Sequence, residues 1–222
     1  MAQGPCLAFD TSAAHCAAAF VMDGAVRVTR LEPMARGQAE RLMPLLEEVL
    51  AEAGAGWADL AGLAVGIGPG NFTGVRIAVA AARGLALGLR VPVVGISGFE
   101  LLLRPDDAGD LLLCLPAPRD QVYVQAFRDG RPVDAPRLID PAAPEGLAPT
   151  VATVRGHGAD QIAHALGTRA EPADTTDFAR LLGARAAWRL AQPADGTRPA
   201  PLYVRPPDAA PPSDPPPVIL DA

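Results

Sequence analysis

The residues best suited to chemistry sit in two places. The first is the run Asp10-Thr11-Ser12, which follows the apolar segment Cys6-Leu-Ala-Phe9. A carboxylate and two hydroxyls at a strand end can hold a nucleotide's metal and phosphates, or they can turn back and satisfy the amides of their own turn. The turn is the simpler reading, because it needs no ligand. The second place is Val65-Gly-Ile-Gly-Pro-Gly-Asn-Phe-Thr-Gly-Val-Arg76. Glycines between a strand and a helix permit a tight turn, and free amides at a helix N-terminus can hold an anion. A dinucleotide site adds an acidic residue at the end of the next strand, about 20 residues on. Here that strand reads Val91-Pro-Val-Val-Gly-Ile-Ser97 and carries none, so the glycines do not make a Rossmann site.

Several chemistries are excluded outright. All 19 basic residues are arginine, so a P-loop lysine, a Schiff-base lysine and a lysine general base are impossible. The formal charge of -6 argues against independent affinity for nucleic acid, because a polyphosphate needs clustered cations that outweigh the acidic field. Cys6, Cys16 and Cys114 lack the close spacings of zinc or redox motifs, and His15, His157 and His164 form no pair one helical turn apart. No metal site and no cofactor is expected. The longest apolar runs fall short of the roughly 20 residues that cross a bilayer, and no basic segment precedes the first of them. The expectation is a cytoplasmic protein with no membrane span.

The elements that must position these residues follow from hydropathy. Segment 6–9 reads as a buried strand, and the runs 15–22 and 25–28 flank Asp23-Gly24, a hairpin signal because both turn positions need positive φ. Leu42, Leu45, Leu46, Val49 and Leu50 recur at helical spacing, with Pro44 tolerable only near the helix start and Gly54 and Gly56 as stops. A strand over 60–67 leads into the glycine loop, a small-residue helix over 75–89 and a strand over 91–96. Ser97 is placed to cap the short helix that follows. After a polar boundary near 105–110 come a strand over 111–115, a second hairpin through Asp129-Gly130, a short strand over 151–154 and a helix over 177–191. The order suggests two similar lobes, 1–104 and 105–205. Segment 206–222, with seven of the 24 prolines, reads as an extended or disordered tail.

Gly68-Pro-Gly-Asn-Phe-Thr-Gly-Val-Arg76 resembles the G-P-G-S-F-T-G-L-R signature of the TsaB (YeaZ) family, with Asn71 for serine and Val75 for leucine. Further matches run in family order: Leu7-Ala-Phe-Asp-Thr-Ser12, Glu40-Arg-Leu-Met-Pro-Leu45, Ala82-Arg-Gly-Leu-Ala86, Val94-Gly-Ile-Ser97 and Pro201-Leu-Tyr-Val-Arg205. The likeness is dense over the first 100 or so residues and thin beyond. Two departures stand out. Gly37-Gln38 replaces a His-Ser pair, and Pro116-Ala117-Pro118 replaces an Asp-Ala-Arg turn in the second lobe.

The resemblance implies an α/β fold of the actin-like (ASKHA, ribonuclease H-like) kind, two lobes with mixed sheets flanked by helices. It implies a non-catalytic subunit in the synthesis of threonylcarbamoyladenosine in tRNA. Such a subunit pairs with a TsaD-like catalytic paralogue and a TsaE-like ATPase, forms a homodimer when alone, and meets tRNA only through the complex. An actin-like ATPase needs acidic turns in both lobes, whereas this chain keeps Asp10 in one and prolines in the other; Asp120 is the nearest substitute. The alternatives are an ATP-dependent small-molecule kinase of the same fold and, lacking its histidine pair, a metallopeptidase-like enzyme.

The docking surface expected is half of a four-helix contact, with ridges from Leu42, Leu45, Leu46 and Val49 and a groove from Val79 and Ala80. Arg76 and Arg83, two turns apart on one helix face, read equally as a solvated stripe or as interface residues. The motif loop comprises Gly68, Pro69, Gly70, Asn71, Phe72, Thr73 and Gly74, and Asp10, Thr11 and Ser12 form a vestigial nucleotide turn.

Overall fold

A computed structural model describes residues 4–144, 146–147, 151–193 and 196–204. The first apolar run forms β1 (Cys6–Asp10), buried along its whole length. β2 (His15–Met22) and β3 (Ala25–Pro33) follow as a hairpin. Its turn places Asp23 at φ 54° and Gly24 at φ 74°, the positive pair that Asp-Gly foretells.

Helix α1 (Gln38–Glu52) buries Leu42, Leu45, Leu46, Val49 and Leu50. Pro44 stands inside this helix rather than at its start, contrary to expectation. It forfeits one helical hydrogen bond, a loss offset by the burial of four large side chains around it. Strand β4 (Gly62–Gly66), helix α2 (Phe72–Leu89) and strand β5 (Val93–Ile96) complete the first lobe. Helix α2 begins three residues before the expected 75, because the Asn71 side chain accepts a hydrogen bond from the Gly74 N–H at 3.0 Å and caps the first turn. After β5, Ser97 and Glu100 cap a short 3-10 turn over Phe99–Leu102 reciprocally: Ser97 Oγ accepts from Glu100 N, and Glu100 Oε2 accepts from Ser97 N.

The first sheet has the order β3-β2-β1-β4-β5, antiparallel on the hairpin side and parallel from β1 onward. Leu7 and Phe9 face α1 and α2, whereas Cys6 and Ala8 face the opposite side, the two-residue alternation of a strand covered on both faces. By length and composition alone α2 could cross a membrane. Here Val75, Ala78, Val79, Ala82 and Ala86 pack it against the sheet, and Arg76 and Arg83 face outward.

The second lobe repeats this arrangement. It contains β6 (Asp110–Pro116), β7 (Val122–Arg128), β8 (Arg131–Pro132), β9 (Arg137–Ile139), β10 (Thr153–Gly156), α3 (Ala159–Leu166) and β11 (Arg169–Glu171). The sheet order is β11-β10-β6-β7-β8, with β9 pairing beside β7. Strand β6 therefore plays the part of β1, and α3 that of α2. Asp129-Gly130 again makes the hairpin turn with positive φ at both residues.

One element departs from the sequential division into lobes. Helix α4 (Phe178–Ala191) crosses back and lays Leu182, Ala186 and Ala187 on Cys6, Ala8, Val21 and Ala64 of the first sheet. The boundary expected at 105–205 is corrected accordingly: the second lobe's sheet ends at Glu171, and α4 belongs to the core of the first. Segment 206–222 lies outside the described residues.

Candidate functional site

The cleft between the lobes has a volume of about 800 Å³. One wall is the β1–β2 turn with the motif loop, the other is the β6–β7 turn, and residues 202–204 close one side. Each wall is built differently.

On the first wall the two sequence motifs interlock. A Cβ on Gly66 would lie 1.6 Å from Asp10 Oδ2, one on Gly70 would lie 2.1 Å from the Ser12 carbonyl oxygen, and one on Gly74 would lie 1.9 Å from the Thr11 carbonyl oxygen. Three glycines thus meet three successive residues at distances no side chain permits. Hydrogen bonds lock the seam. Asn71 N donates to Ser12 O at 2.6 Å, and Thr11 Oγ1 donates to Gly74 O at 2.7 Å. The glycines read as a weak phosphate loop are spent on backbone approach.

Asp10 is engaged as well, through one of its two oxygens. Its Oδ1 accepts from Ser12 N at 2.7 Å, from Ser12 Oγ at 2.9 Å and from His15 Nε2 at 2.8 Å. The carboxylate is 2% exposed, so this internal pairing satisfies a charge that would otherwise be costly to bury. The turn reading of Asp10-Thr11-Ser12 matches this geometry. His15 is the partner that sequence reasoning missed. Its signal was its place at the start of β2, just beyond the turn, and its ring is 4.6 Å from that of Phe178, a neighbour only the return of α4 supplies.

The opposite wall is apolar. Leu115, Pro116, Ala117, Pro118 and Tyr123 line it, and Asp120 sits in the same turn with φ 56° but is not among the lining residues. Leu202, Tyr203 and Val204 complete the lining. Leu202 N donates to Ile67 O at 2.8 Å. Arg76 Nε donates to the Tyr203 hydroxyl at 2.7 Å while its guanidinium stacks 3.7 Å from the centre of the Phe72 ring.

The joint between the lobes is held by charge. Arg155 is 3% exposed. Its Nη1 and Nη2 donate to the two oxygens of Asp107 at 2.6 and 2.7 Å, Nε and Nη2 donate to Glu171 at 3.0 and 2.8 Å, and Nη1 donates to Leu102 O at 3.0 Å. Burial pushes the Asp107 carboxyl up, but the Arg155 hydrogen bonds, the Arg104 N–H and both guanidinium charges outweigh it and hold it below the ordinary value. The Arg155 hydrogen bonds likewise hold Glu171 low. Burial drives the Cys6 and Cys16 thiols up to about 11 and Cys114 to about 12, which leaves them protonated and poorly nucleophilic at neutral pH. Among the described residues no cluster of three His, Cys, Asp or Glu side chains could hold a metal ion.

The expected docking residues divide sharply. Leu42, Leu45, Leu46 and Val49 are at most 1% exposed and Val79 is 4% exposed, all inside the first lobe's core. They are therefore corrected from surface to core: α1 turns its apolar face inward because that face is what covers Leu7 and Phe9. Arg76, Ala80 and Arg83 remain exposed on α2, and Leu87 on the same helix is 82% exposed.

Comparison with known proteins places this architecture. The family model TsaD, described as tRNA N6-adenosine threonylcarbamoyltransferase, matches residues 32–172, more than half of the chain. The tRNA threonylcarbamoyladenosine biosynthesis protein TsaB of Escherichia coli is 36% identical over 121 residues, 53% of this chain and 52% of that protein. The chain thus spans about half the length of the curated TsaB proteins it matches. An uncharacterized Mycobacterium tuberculosis protein, Rv3421c, is 33% identical over 208 residues, 92% of this chain and 93% of its own. The solved structure of YeaZ from Pseudomonas aeruginosa is 26% identical with a TM-score of 0.65, covering 90% of this chain and 100% of that one. The ethanolamine utilization protein EutJ from Carboxydothermus hydrogenoformans, 11% identical with a TM-score of 0.53 over 83% of this chain and 90% of its own, shares the fold alone. With two mixed sheets in the actin-like arrangement, the interlocked glycine signature and relatives on both the sequence and the structural side, the chain belongs to the TsaB (YeaZ) family.

Proposed function

We propose that this chain is a non-catalytic subunit in the synthesis of threonylcarbamoyladenosine in tRNA. It pairs with a TsaD-like catalytic paralogue, works with a TsaE-like ATPase, and acts in the cytoplasm. The observation that carries this reading is the cleft. Asp10, the acidic residue an actin-like ATPase would turn toward a metal, is engaged by Ser12 and His15, and the facing turn offers Pro116-Ala117-Pro118. Phosphoryl transfer relies on metal ions that bridge and neutralise the phosphates, and among the described residues lining the cleft Asp10, with one oxygen already engaged, is the single carboxylate available to hold one. Affinity for tRNA resides in the partner, because a chain of formal charge -6 lacks the cationic excess that a polyphosphate requires.

Pairing uses the outer face of α2, where Arg76, Ala80, Arg83 and Leu87 surround small residues that let a second helix approach. The same face makes the homodimer when the partner is absent. Reconstitution of tRNA modification from purified components tests the whole reading: omission of this chain abolishes product, while the chain alone turns over no ATP. Magnesium-dependent turnover by the isolated chain, lost in Asp10→Ala, would overturn it in favour of a small-molecule kinase. Ala80→Glu lowers association with the partner at least about tenfold, ~1.4 kcal/mol, and leaves the monomer folded. Unchanged association by sedimentation would move the interface elsewhere.

A further inference from the structure

The interlobe cleft sets one buried carboxylate in a largely apolar and aromatic cavity. Asp10 is 2% exposed, and its bonds from Ser12 N, Ser12 Oγ and His15 Nε2 all end on Oδ1. Its other oxygen, Oδ2, stands where a Cβ on residue 66 would lie, and Asp10 and Gly66 both line the cleft. Any side chain at position 66 would cover that oxygen. The glycine keeps it open to the cavity, beside a wall that includes Leu115, Tyr123 and Phe178.

The lining selects a ligand by its charge. Among the described residues that line the cleft none is arginine, so a phosphate or carboxylate meets no guanidinium there, and Asp10 repels it across a cavity of low dielectric. A magnesium ion keeps several waters of its own, and aromatic walls are poor partners for that shell. An organic cation meets both demands. Its charge pairs with Oδ2, and its carbon body takes the apolar walls out of water. Aromatic faces attract such cations through the negative side of the ring. The rim already shows this contact, because the Arg76 guanidinium lies 3.7 Å from the centre of the Phe72 ring and 5.7 Å from that of Tyr203. Tyr123 and Phe178 remain for a ligand. The cavity of about 800 Å³ falls in the range that encloses a small organic molecule, ~300–1,000 Å³.

We propose that the interlobe cleft binds a small organic cation, an ammonium carried on an apolar body, with the charged nitrogen at Asp10 Oδ2 and the body against Leu115, Tyr123 and Phe178. The site is separate from the outer face of α2, and its chemistry does not depend on the role in tRNA modification.

Titration of the full chain with three probes built on one phenylethyl frame tests it: phenethylammonium, the neutral 2-phenylethanol and the anionic 3-phenylpropionate. At neutral pH, calorimetry and ligand-observed NMR show phenethylammonium binding at least about tenfold tighter than the alcohol, with 3-phenylpropionate weaker still. Asp10→Asn, which keeps an oxygen acceptor for Ser12, abolishes the advantage of the ammonium and leaves the alcohol's affinity unchanged. Ala117→Trp fills the cleft and weakens all three probes. The ranking in the wild type decides the matter even where a variant fails to fold. No saturable binding of phenethylammonium, equal affinities for the ammonium and the alcohol, tightest binding by the anion, or an ammonium preference that survives in folded Asp10→Asn would each overturn the proposal. Displacement of phenethylammonium by ADP with magnesium would also overturn it and assign the cleft to a nucleotide.

Discussion

The first wall of the cleft and the joint behind it are fixed by opposite means. Along the first wall, backbone meets backbone: Gly70 and Gly74 approach Ser12 and Thr11 so closely that shape alone dictates the register. At the joint, a buried guanidinium gathers Asp107, Glu171 and the Leu102 carbonyl, and charge dictates the register. A steric seam tolerates no added atom and is indifferent to pH. An ionic joint tolerates isosteric change poorly and answers to acid. The same fold thus positions one cleft edge by exclusion and the lobe connection by attraction.

The largest test strikes the seam. Gly74→Ala places a Cβ where the Thr11 carbonyl already lies 1.9 Å away, and the conflict is with backbone rather than a movable side chain. A loss of about 4 kcal/mol or more is expected, visible as a large drop in urea midpoint or as failure to fold. Wild-type stability in this variant would show that the seam gives way and that shape does not control it.

Next comes the joint. Arg155→Met leaves Asp107, with its side chain 7% exposed, without the guanidinium that pairs with it, while Glu171 keeps Arg104 and Arg169; a loss of about 3 kcal/mol is expected. Acid supplies an independent reading. Both carboxylates have folded pKa values below their ordinary ones, so their contribution is present above the unfolded values of about 4 and is lost as pH falls through the folded ones. Stability of the wild type should fall below about pH 4 more steeply than that of Arg155→Met; parallel acid profiles would remove the ionic account.

Smaller effects sharpen the first wall. Thr11→Val keeps the shape and deletes only the hydrogen bond to Gly74 O, a loss of about 1 kcal/mol in denaturant titration. Gly84→Ala, on the same helix as Gly74 but with nothing within 4 Å of the added Cβ, should stabilise the isolated chain by about 0.5–1 kcal/mol. A destabilising Gly84→Ala would mean that α2 glycines matter for a reason other than close approach.

The elements themselves were largely legible. Alternation and helical spacing fixed β1, β4, α1 and α2 to within a few residues, and the two Asp-Gly pairs marked both hairpins, because these signals are local. The short strands β9 and β11 and helix α3 escaped, since three to eight residues carry too little periodicity to separate from a polar loop. In the site, the turn reading of Asp10 needed only the preference of such residues for their own amides. His15 escaped because the distance that matters spans a hairpin reversal.

The sequence by itself determined which residues are apolar, where the chain turns, and that lysine chemistry is absent. It also carried the glycine signature whole. Only the tertiary structure decided what those features touch. A helical period tells which face of α1 is apolar but not whether a sheet or a partner covers it, and the sheet does. Glycine spacing tells that backbone approaches something, but Thr11 and Gly74 lie 63 residues apart, and no local rule joins them. Helix α4 follows the second sheet in sequence and packs on the first in space. Its apolar face required burial, and it found it on the side of β1 and β4 that α1 and α2 leave open.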